Sequence, residues 1–184
     1  VDNVLVHHRV QPYSIKTIGG FRDAVPVFGA GAYESMRDRV AQMPNETAVK
    51  IVSMNLGFFW HGCILNQGIK RNEIVFYHDA FCATVKRLVA VLAGLNHHFF
   101  SPLEPRWLEY ELRRMAVKPD DMWSRIQSMF TEPPEKAVAV LESLVTEVVA
   151  LVERHMPEVD LTQYRECDAL EIRATAKKPA LLNG

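Results

Sequence analysis

One helical pattern dominates this sequence and runs without interruption over about residues 71–98. Its apolar residues recur at intervals of three, four and seven positions: Ile74, Phe81, Val85, Leu88, Leu92 and Leu95. A helix of this length extends about 40 Å at roughly 1.5 Å per residue and turns one face towards a core. Prolines Pro102 and Pro105 forbid its continuation, so residues 95–107 form a turn. The pattern predicts a helical bundle built around this helix.

Shorter helical patterns occupy the rest of residues 31–160. They are predicted at residues 33–43, 47–66, 107–119, 120–133 and 135–155. With the central helix these make six, joined by short turns marked with proline, which is typical of a bundle. Residues 161–184 have weak periodicity and are predicted to form a peripheral tail. The expected fold is mainly α, a helical bundle of about six helices.

Residues 1–30 carry a different pattern. β-branched residues alternate or cluster between Val4 and Ile18 and stop at Gly19-Gly20, which favours one or two short strands and a loop. Because a single hairpin is marginally stable alone, these strands are predicted to complete an upstream domain. The first residue is Val1 and not methionine, which favours a chain that begins inside a longer protein or after processing.

The balance of charges limits the partners. Lysine and arginine number 21 against 22 acidic residues, which argues against generic nucleic-acid binding. The odd number of widely spaced cysteines, Cys63, Cys82 and Cys167, is typical of reduced thiols in a cytoplasm. The most apolar stretch, residues 51–65, is shorter than the roughly 20 residues that a membrane span needs. We therefore expect a cytoplasmic protein without a membrane segment.

The motifs of common enzyme classes are missing from the sequence. It contains no G-x-x-x-x-G-K-[ST] phosphate loop, no H-E-x-x-H or C-x-x-C pair and no serine nucleophile elbow. His78 and Cys82 lie four positions apart on one helix face, but two ligands do not make a metal site. Asp120-Asp121 follows a proline and is typical of a helix cap. We predict no catalytic residue and no metal ligand in this chain.

The turn after the long helix carries a family resemblance. The residues on which it rests are Leu95, Asn96, Phe99, Phe100, Arg106 and Trp107. The segment resembles the C-terminal helical domain of nucleotidyltransferase-like proteins (DUF4037), in which Leu-Asn is followed by basic and aromatic residues, a proline and Lys-Trp. The resemblance covers about residues 25–155. This chain departs from it at Arg106, at Met43 in place of an aromatic residue, and at Asn72-Glu73 in place of Gly-Asp.

In such proteins an upstream palm-like domain, with a Gly-Ser and paired aspartates, binds magnesium and a nucleoside triphosphate. The helical domain packs beside it and shapes the acceptor site. This chain has no Gly-Ser and no Asp-x-Asp. The resemblance implies a helical accessory or acceptor-binding domain that is non-catalytic alone, with an upstream catalytic domain and a small-molecule acceptor as partners. Magnesium and nucleoside triphosphate are expected only if that upstream domain exists.

Candidate binding residues lie at this turn and at the start of the long helix. We predict that Arg71, Asn96, Arg106, Trp107 and Glu109 face a cleft, where a guanidinium holds phosphate or carboxylate and Glu109 takes an amine. In the alternative interpretation the aromatic residues pack between two helices and Asn96 satisfies backbone groups at the helix end.

Two further hypotheses stay open from the sequence. Arg71 followed by His78 resembles the arginine and histidine of HEPN-type helical ribonucleases, which bind and cleave RNA at a dimer interface. The other hypothesis is a purely structural or dimerising bundle, with a homodimer as its assembly.

Overall fold

The computed structural model describes residues 1–58, 63–100 and 106–176, and within these ranges the chain is helical without a β-strand. The α-helices are α1 (Asp2–Leu5), α2 (Pro12–Asp23), α3 (Ala30–Arg39), α4 (Asn45–Asn55), α5 (Ile74–Leu95), α6 (Leu108–Arg114), α7 (Met122–Met129), α8 (Pro134–His155) and α9 (Thr162–Ala176). A π-helix, Ile64–Ile69, lies between α4 and α5. The prediction of a mainly α fold is confirmed. None of the described helices combines the length and apolar character that crossing a membrane requires.

Helix α5 is the centre of the bundle and packs against α4, the π-helix and α8. Residues 88–95 are all buried, so this half of the helix is enclosed on every side. Helix α4 approaches most closely at Gly94, where an added Cβ would lie 2.6 Å from Val52 Cγ2 and 3.1 Å from the Ala48 carbonyl oxygen. The absence of a side chain at Gly94 therefore lets the two helices come into backbone contact.

The C-terminal end of α5 is closed by a Schellman motif. His97 adopts a left-handed conformation with φ +50°, the His98 amide donates to the Ala93 carbonyl at 2.8 Å, and the His97 amide donates to the Gly94 carbonyl at 3.0 Å. This turn stops the helix three residues earlier than the sequence pattern predicts. It also places His97 Nδ1 2.9 Å from the Met43 carbonyl oxygen and His98 beside Glu111.

Asn96 joins the end of α5 to the segment before α7. Its Nδ2 donates to the carbonyls of Leu92 and Val117, at 2.7 and 2.8 Å, and its Oδ1 accepts the Val117 amide at 2.8 Å. Asn96→Ala would leave both half-buried backbone groups of Val117 without this partner. We expect it to lower the free energy of unfolding by about 1–2 kcal/mol in urea denaturation.

The control for this prediction is Asn45→Ala, which removes one exposed hydrogen bond to Glu158. That change is expected to stay within about 0.5 kcal/mol of the unmodified chain, because surface substitutions of this kind cost little. Equal effects of the two substitutions would show that the bridge from Asn96 to Val117 contributes nothing to stability.

The prediction of short strands near the N-terminus is wrong. Residues 1–30 contain α1 and α2 instead, and Pro12 stands at the first position of α2, where its missing amide costs no hydrogen bond. Ile15 and Ile18 are both buried at helical spacing, 4% and 3% exposed. Gly19-Gly20 lies inside this helix, and position 19 requires glycine because an added Cβ would meet the Phe99 carbonyl oxygen at 2.4 Å. Gly19 therefore marks a close packing contact and not a turn.

The predicted count of six helices is also wrong. Besides the two N-terminal helices, the single helix predicted at residues 47–66 is divided, because α4 ends at Asn55 and Ile64–Ile69 is a π-helix. Residues 59–62, which the prediction placed in the same helix, lie outside the described residues. Helix α9, Thr162–Ala176, forms where the sequence pattern predicts only a peripheral tail.

Candidate functional site

Glu111 is the feature of α6 that stands out chemically. Leu108, Leu112 and Met115 form the buried side of this helix, and Glu111 lies on the same side with 7% of its surface exposed. Among the described residues it is the one buried acid or base. A buried carboxylate is costly unless it is paired and hydrogen-bonded, so its partners decide whether it stabilises the fold.

Two side chains from other parts of the chain supply those partners. Arg22, near the end of α2, donates from Nη2 to Glu111 Oε1 at 2.7 Å, and His98 Nε2 lies 2.5 Å from Glu111 Oε2. A carboxylate only accepts hydrogen bonds, so the Nε2 atom of His98 carries the hydrogen. The free lone pair of a neutral ring is then on Nδ1, 3.3 Å from Arg22 Nη1, whereas the shorter distance of 2.7 Å between Nη1 and Nε2 joins two donors and is a contact and not a hydrogen bond.

The hydrogen bonds within this cluster set its charge state. Burial alone would raise the pKa of the Glu111 carboxyl, but the hydrogen bonds from His98 and Arg22 outweigh it and hold that pKa below its ordinary value of 4.5. Burial alone would lower the pKa of the Arg22 guanidinium, whereas its bonds to Asp23 and Glu111 raise it above the ordinary value. The carboxylate and guanidinium are therefore both charged at neutral pH.

A second arginine extends the cluster towards solvent. Asp23 accepts from Arg22 Nε at 2.9 Å, and the Nη1 atom of Arg114 lies 3.6 Å from the other oxygen of Asp23. Arg114 is held over the ring of Tyr110, with its Cζ 5.3 Å from the ring centroid, and donates to the Tyr110 hydroxyl at 2.6 Å. These contacts hold Arg114 in place, while 40% of its side-chain surface stays accessible.

The cluster opens into a cleft of about 320 Å³ between α2, α3 and the turn after α5. Its charged and polar lining residues are Arg22, Arg37, Arg114, Asp38, His97 and His98, above apolar residues such as Ile18 and Phe99. Arg37 comes from α3 and lies over the Tyr33 ring at 5.7 Å, and the Tyr33 hydroxyl donates to the Phe21 carbonyl at 2.7 Å. The cleft thus offers guanidinium groups to a small anion beside one lining carboxylate, and two of them, Arg22 and Arg114, are also paired with Glu111 and Asp23 behind the lining.

The structure places the predicted turn residues outside this cleft. The amide of Asn96 is engaged with Val117, as described above. Trp107 is 80% exposed in a left-handed conformation at the start of α6 and is not a packing plug, whereas Phe99 is buried. Glu109 pairs with Arg113 at 2.5 Å on the outer face of α6, and Arg106 is exposed. A binding role for these residues stays a prediction.

Arg71 and His78, the pair of the ribonuclease hypothesis, are both exposed. Arg71 lies in the turn before α5, and His78 lies in the first turns of α5 with its ring 5.0 Å from that of Tyr77. The hypothesis stays a prediction. Within the described ranges, no three side chains of histidine, cysteine, aspartate or glutamate come together in a group that could hold a metal ion.

Sequence reasoning did not single out Arg22, Arg37, Glu111 or Arg114. The sequence does carry a signal for Glu111. Positions 108, 111, 112 and 115 lie on one face of a helix, and the other three residues on that face are apolar. A carboxylate on an apolar helix face indicates a buried ion pair. The arginines carry no such signal, because each lies among other polar residues and is brought to the cleft by the packing of α2 and α3.

Comparisons of this chain with protein-family models, with curated proteins and with solved structures found no match. The resemblance to nucleotidyltransferase-like helical domains therefore stays a prediction.

Proposed function

We propose that this chain is a helical binding domain that holds a small anion in the cleft of Arg22, Arg37 and Arg114. In the larger setting implied by the sequence resemblance, it would serve as the accessory or acceptor-binding domain of a nucleotidyltransferase-like protein. The observation that carries the proposal is the convergence of three guanidinium groups on one cleft with a single lining carboxylate. The ligand class is a phosphate- or carboxylate-bearing small molecule.

The guanidinium of Arg22 is already held in one orientation before a ligand binds, which supports this proposal. Glu111 and Asp23 accept hydrogen bonds from Arg22, so its guanidinium loses little conformational freedom when an anion arrives. Planar guanidinium groups match the oxygens of phosphate and carboxylate in paired hydrogen bonds. The near-zero total charge of the chain, 21 basic against 22 acidic residues, favours a small anion over a long polyanion.

We assign the catalytic step to an upstream catalytic domain and not to this chain. Paired aspartates for magnesium are missing from the sequence, and the described residues bring no three metal-ligating side chains together. Magnesium and a nucleoside triphosphate would therefore be held by the upstream catalytic domain. This chain would contribute the position and orientation of the acceptor.

Titration calorimetry with inorganic pyrophosphate, at low salt, tests the proposal. The unmodified chain is expected to bind it, and Arg37→Gln and Arg114→Gln are each expected to weaken binding at least about tenfold, because one charge-assisted hydrogen bond contributes roughly 1.5–3 kcal/mol. Both side chains are exposed, so neither change should unfold the chain.

The matched controls are Arg39→Gln and Arg113→Gln. They remove the same charge from the same two helices, but Arg39 pairs with Asp2 and Arg113 with Glu109, away from the cleft. Their affinity for pyrophosphate should change less than twofold. If the control variants lose as much affinity as the cleft variants, binding follows total charge and the proposed site is wrong. If the unmodified chain binds no anion, a structural or dimerising role replaces the proposal.

A further inference from the structure

Among its described lining residues, the cleft of Arg22, Arg37 and Arg114 has one carboxylate, that of Asp38. Asp38 is exposed and lies in the last turn of α3. In the part of the chain that the structure describes, its carboxylate forms no hydrogen bond or ion pair with another side chain. A lining carboxylate without a cation beside it repels a simple anion and attracts a ligand group of positive charge.

Arg37 brings the opposite charge into the cleft from the preceding position of the same helix. Its guanidinium lies over the Tyr33 ring, and within the described ranges it has no carboxylate partner. Side chains at neighbouring positions of a helix do not face each other, so Arg37 and Asp38 do not neutralise one another. Because both line the cleft, a ligand would meet a positive and a negative group at separate points.

His97 adds a hydrogen-bond acceptor to the same cleft. Its Nδ1 atom lies 2.9 Å from the Met43 carbonyl oxygen, and a carbonyl only accepts hydrogen bonds. Nδ1 therefore carries the hydrogen, and the lone pair of a neutral ring is on Nε2. Met43 is buried whereas the His97 side chain is exposed, so the Nδ1 edge of the ring faces the core and the Nε2 edge faces outward. A ligand that donates a hydrogen can bind there.

Two other carboxylates near the cleft already have partners. Glu111 lies behind the lining and accepts hydrogen bonds from Arg22 and His98. Glu158 accepts from Asn45 Nδ2 at 3.0 Å. Neither of these acids belongs to the lining of the cleft. The carboxylate and the ring nitrogen described above are therefore the acidic and basic acceptors that a ligand would meet.

We propose that the ligand of this cleft is a small zwitterion, with its anionic group at the guanidinium groups and a primary ammonium group at Asp38 and His97. The inference rests on the proposed function and narrows its ligand class to a phosphate or carboxylate that also carries an amine a few carbons away. The cleft volume of about 320 Å³ is at the lower end of the usual range for small-molecule sites, which favours a ligand of this size.

Calorimetric titrations with 2-aminoethyl phosphate and ethyl phosphate, at low salt and pH 8, test the inference. Ethyl phosphate has the larger net negative charge, so attraction to the arginines alone would make it the tighter ligand. We expect 2-aminoethyl phosphate to bind about tenfold more tightly, because its ammonium group adds an ion pair and a hydrogen bond. Ethyl phosphate binding as tightly or more tightly would overturn the zwitterion and leave the proposed function in place. If neither probe nor pyrophosphate binds, both are wrong.

A matched pair of variants on α3 locates the ammonium group. Asp38→Asn should weaken binding of 2-aminoethyl phosphate about fivefold, as expected for one exposed ion pair, and should tighten binding of ethyl phosphate because a negative charge is removed. Glu34→Gln removes the same charge one turn earlier on the helix, outside the cleft, and should change neither affinity more than twofold. If Asp38→Asn shifts both affinities in the same direction, or acts like Glu34→Gln, the ammonium group is not at Asp38 and the inference is wrong.

Discussion

Glu111→Gln is expected to lower the free energy of unfolding by about 3 kcal/mol, the largest effect of any single polar substitution that we predict. The change neutralises the carboxylate to which Arg22 and His98 are hydrogen-bonded, at 2.7 and 2.5 Å, and leaves the half-buried guanidinium of Arg22 with Asp23 as its remaining carboxylate, so we take the lower end of the usual range. Breaking a buried ion pair by removing one member costs roughly 3–5 kcal/mol, because the remaining charge stays desolvated. Urea denaturation at neutral pH measures the difference.

Glu109→Gln is the matched control on the same helix. It removes an exposed pair with Arg113, four residues away, and surface pairs of this kind contribute about 0.3–0.5 kcal/mol. If Glu111→Gln and Glu109→Gln destabilise the chain equally, the buried cluster is not the contact that joins α2 to α6.

The pH dependence of the free energy of unfolding shows whether Glu111→Gln acts through the charge of the carboxylate or through packing. The pKa of Glu111 in the folded chain lies below its ordinary value of 4.5, so the carboxylate stabilises the fold above that value. This contribution is lost as the pH falls through the folded-state pKa and Glu111 becomes protonated. The difference in stability between the unmodified chain and Glu111→Gln should therefore shrink as the pH falls below 4.5. A difference that stays constant down to pH 2 would indicate altered packing instead.

Gly19→Ala is expected to have the second largest effect, a loss of about 2 kcal/mol. The new Cβ would lie 2.4 Å from the Phe99 carbonyl oxygen and 3.3 Å from its carbonyl carbon, and a backbone group cannot rotate aside as a side chain can. Overpacking of this kind typically costs 1–3 kcal/mol. It outweighs the roughly 1 kcal/mol by which alanine favours a helix over glycine. Thermal unfolding monitored by circular dichroism measures the change.

The neighbouring residue supplies the control for this prediction. A Cβ on Gly20 meets nothing within 4 Å, so Gly20→Ala should keep the favourable helix propensity and raise stability by up to about 1 kcal/mol. The two substitutions differ by one position in one helix and are predicted to act in opposite directions. If both stabilise the chain, α2 does not pack against the turn that carries His98.

The contact between Gly19 and Phe99 should also affect pyrophosphate binding. Because α2 carries both Gly19 and Arg22, displacing it from Phe99 should also separate Arg22 from Glu111 and His98. The Gly19→Ala variant should therefore lose pyrophosphate affinity, while Gly20→Ala keeps it. Retained affinity in a destabilised Gly19→Ala variant would show that Arg22 is held independently of this helix contact.

Long periodic segments of the fold were predictable from the sequence. Helix α8 was expected at residues 135–155 and is found at Pro134–His155, because its apolar positions recur on one face over its whole length. Helix α5 was expected at residues 71–98 and spans Ile74–Leu95. Its end depends on the left-handed residue His97, and a histidine in that position has no strong sequence signal.

The N-terminal helices were not predictable by the same reasoning. Val4, Ile15 and Ile18 are β-branched and favour strands locally, and a glycine pair is typical of a turn. Packing against the bundle overrides that preference, and the carbonyl that requires Gly19 comes from Phe99, far along the chain. A contact between residues so distant in sequence leaves no trace in a local pattern.

A small anion bound in the cleft would lie beside the rings of His97 and His98. Long-range proton–nitrogen NMR spectra of the histidine rings, recorded while inorganic pyrophosphate is added, test this most directly. We expect the resonances of the His97 and His98 ring nitrogens to shift until they saturate, while those of His8, His78 and His155, which do not line the cleft, do not change. Saturating shifts at those three histidines, with His97 and His98 unmoved, would contradict it.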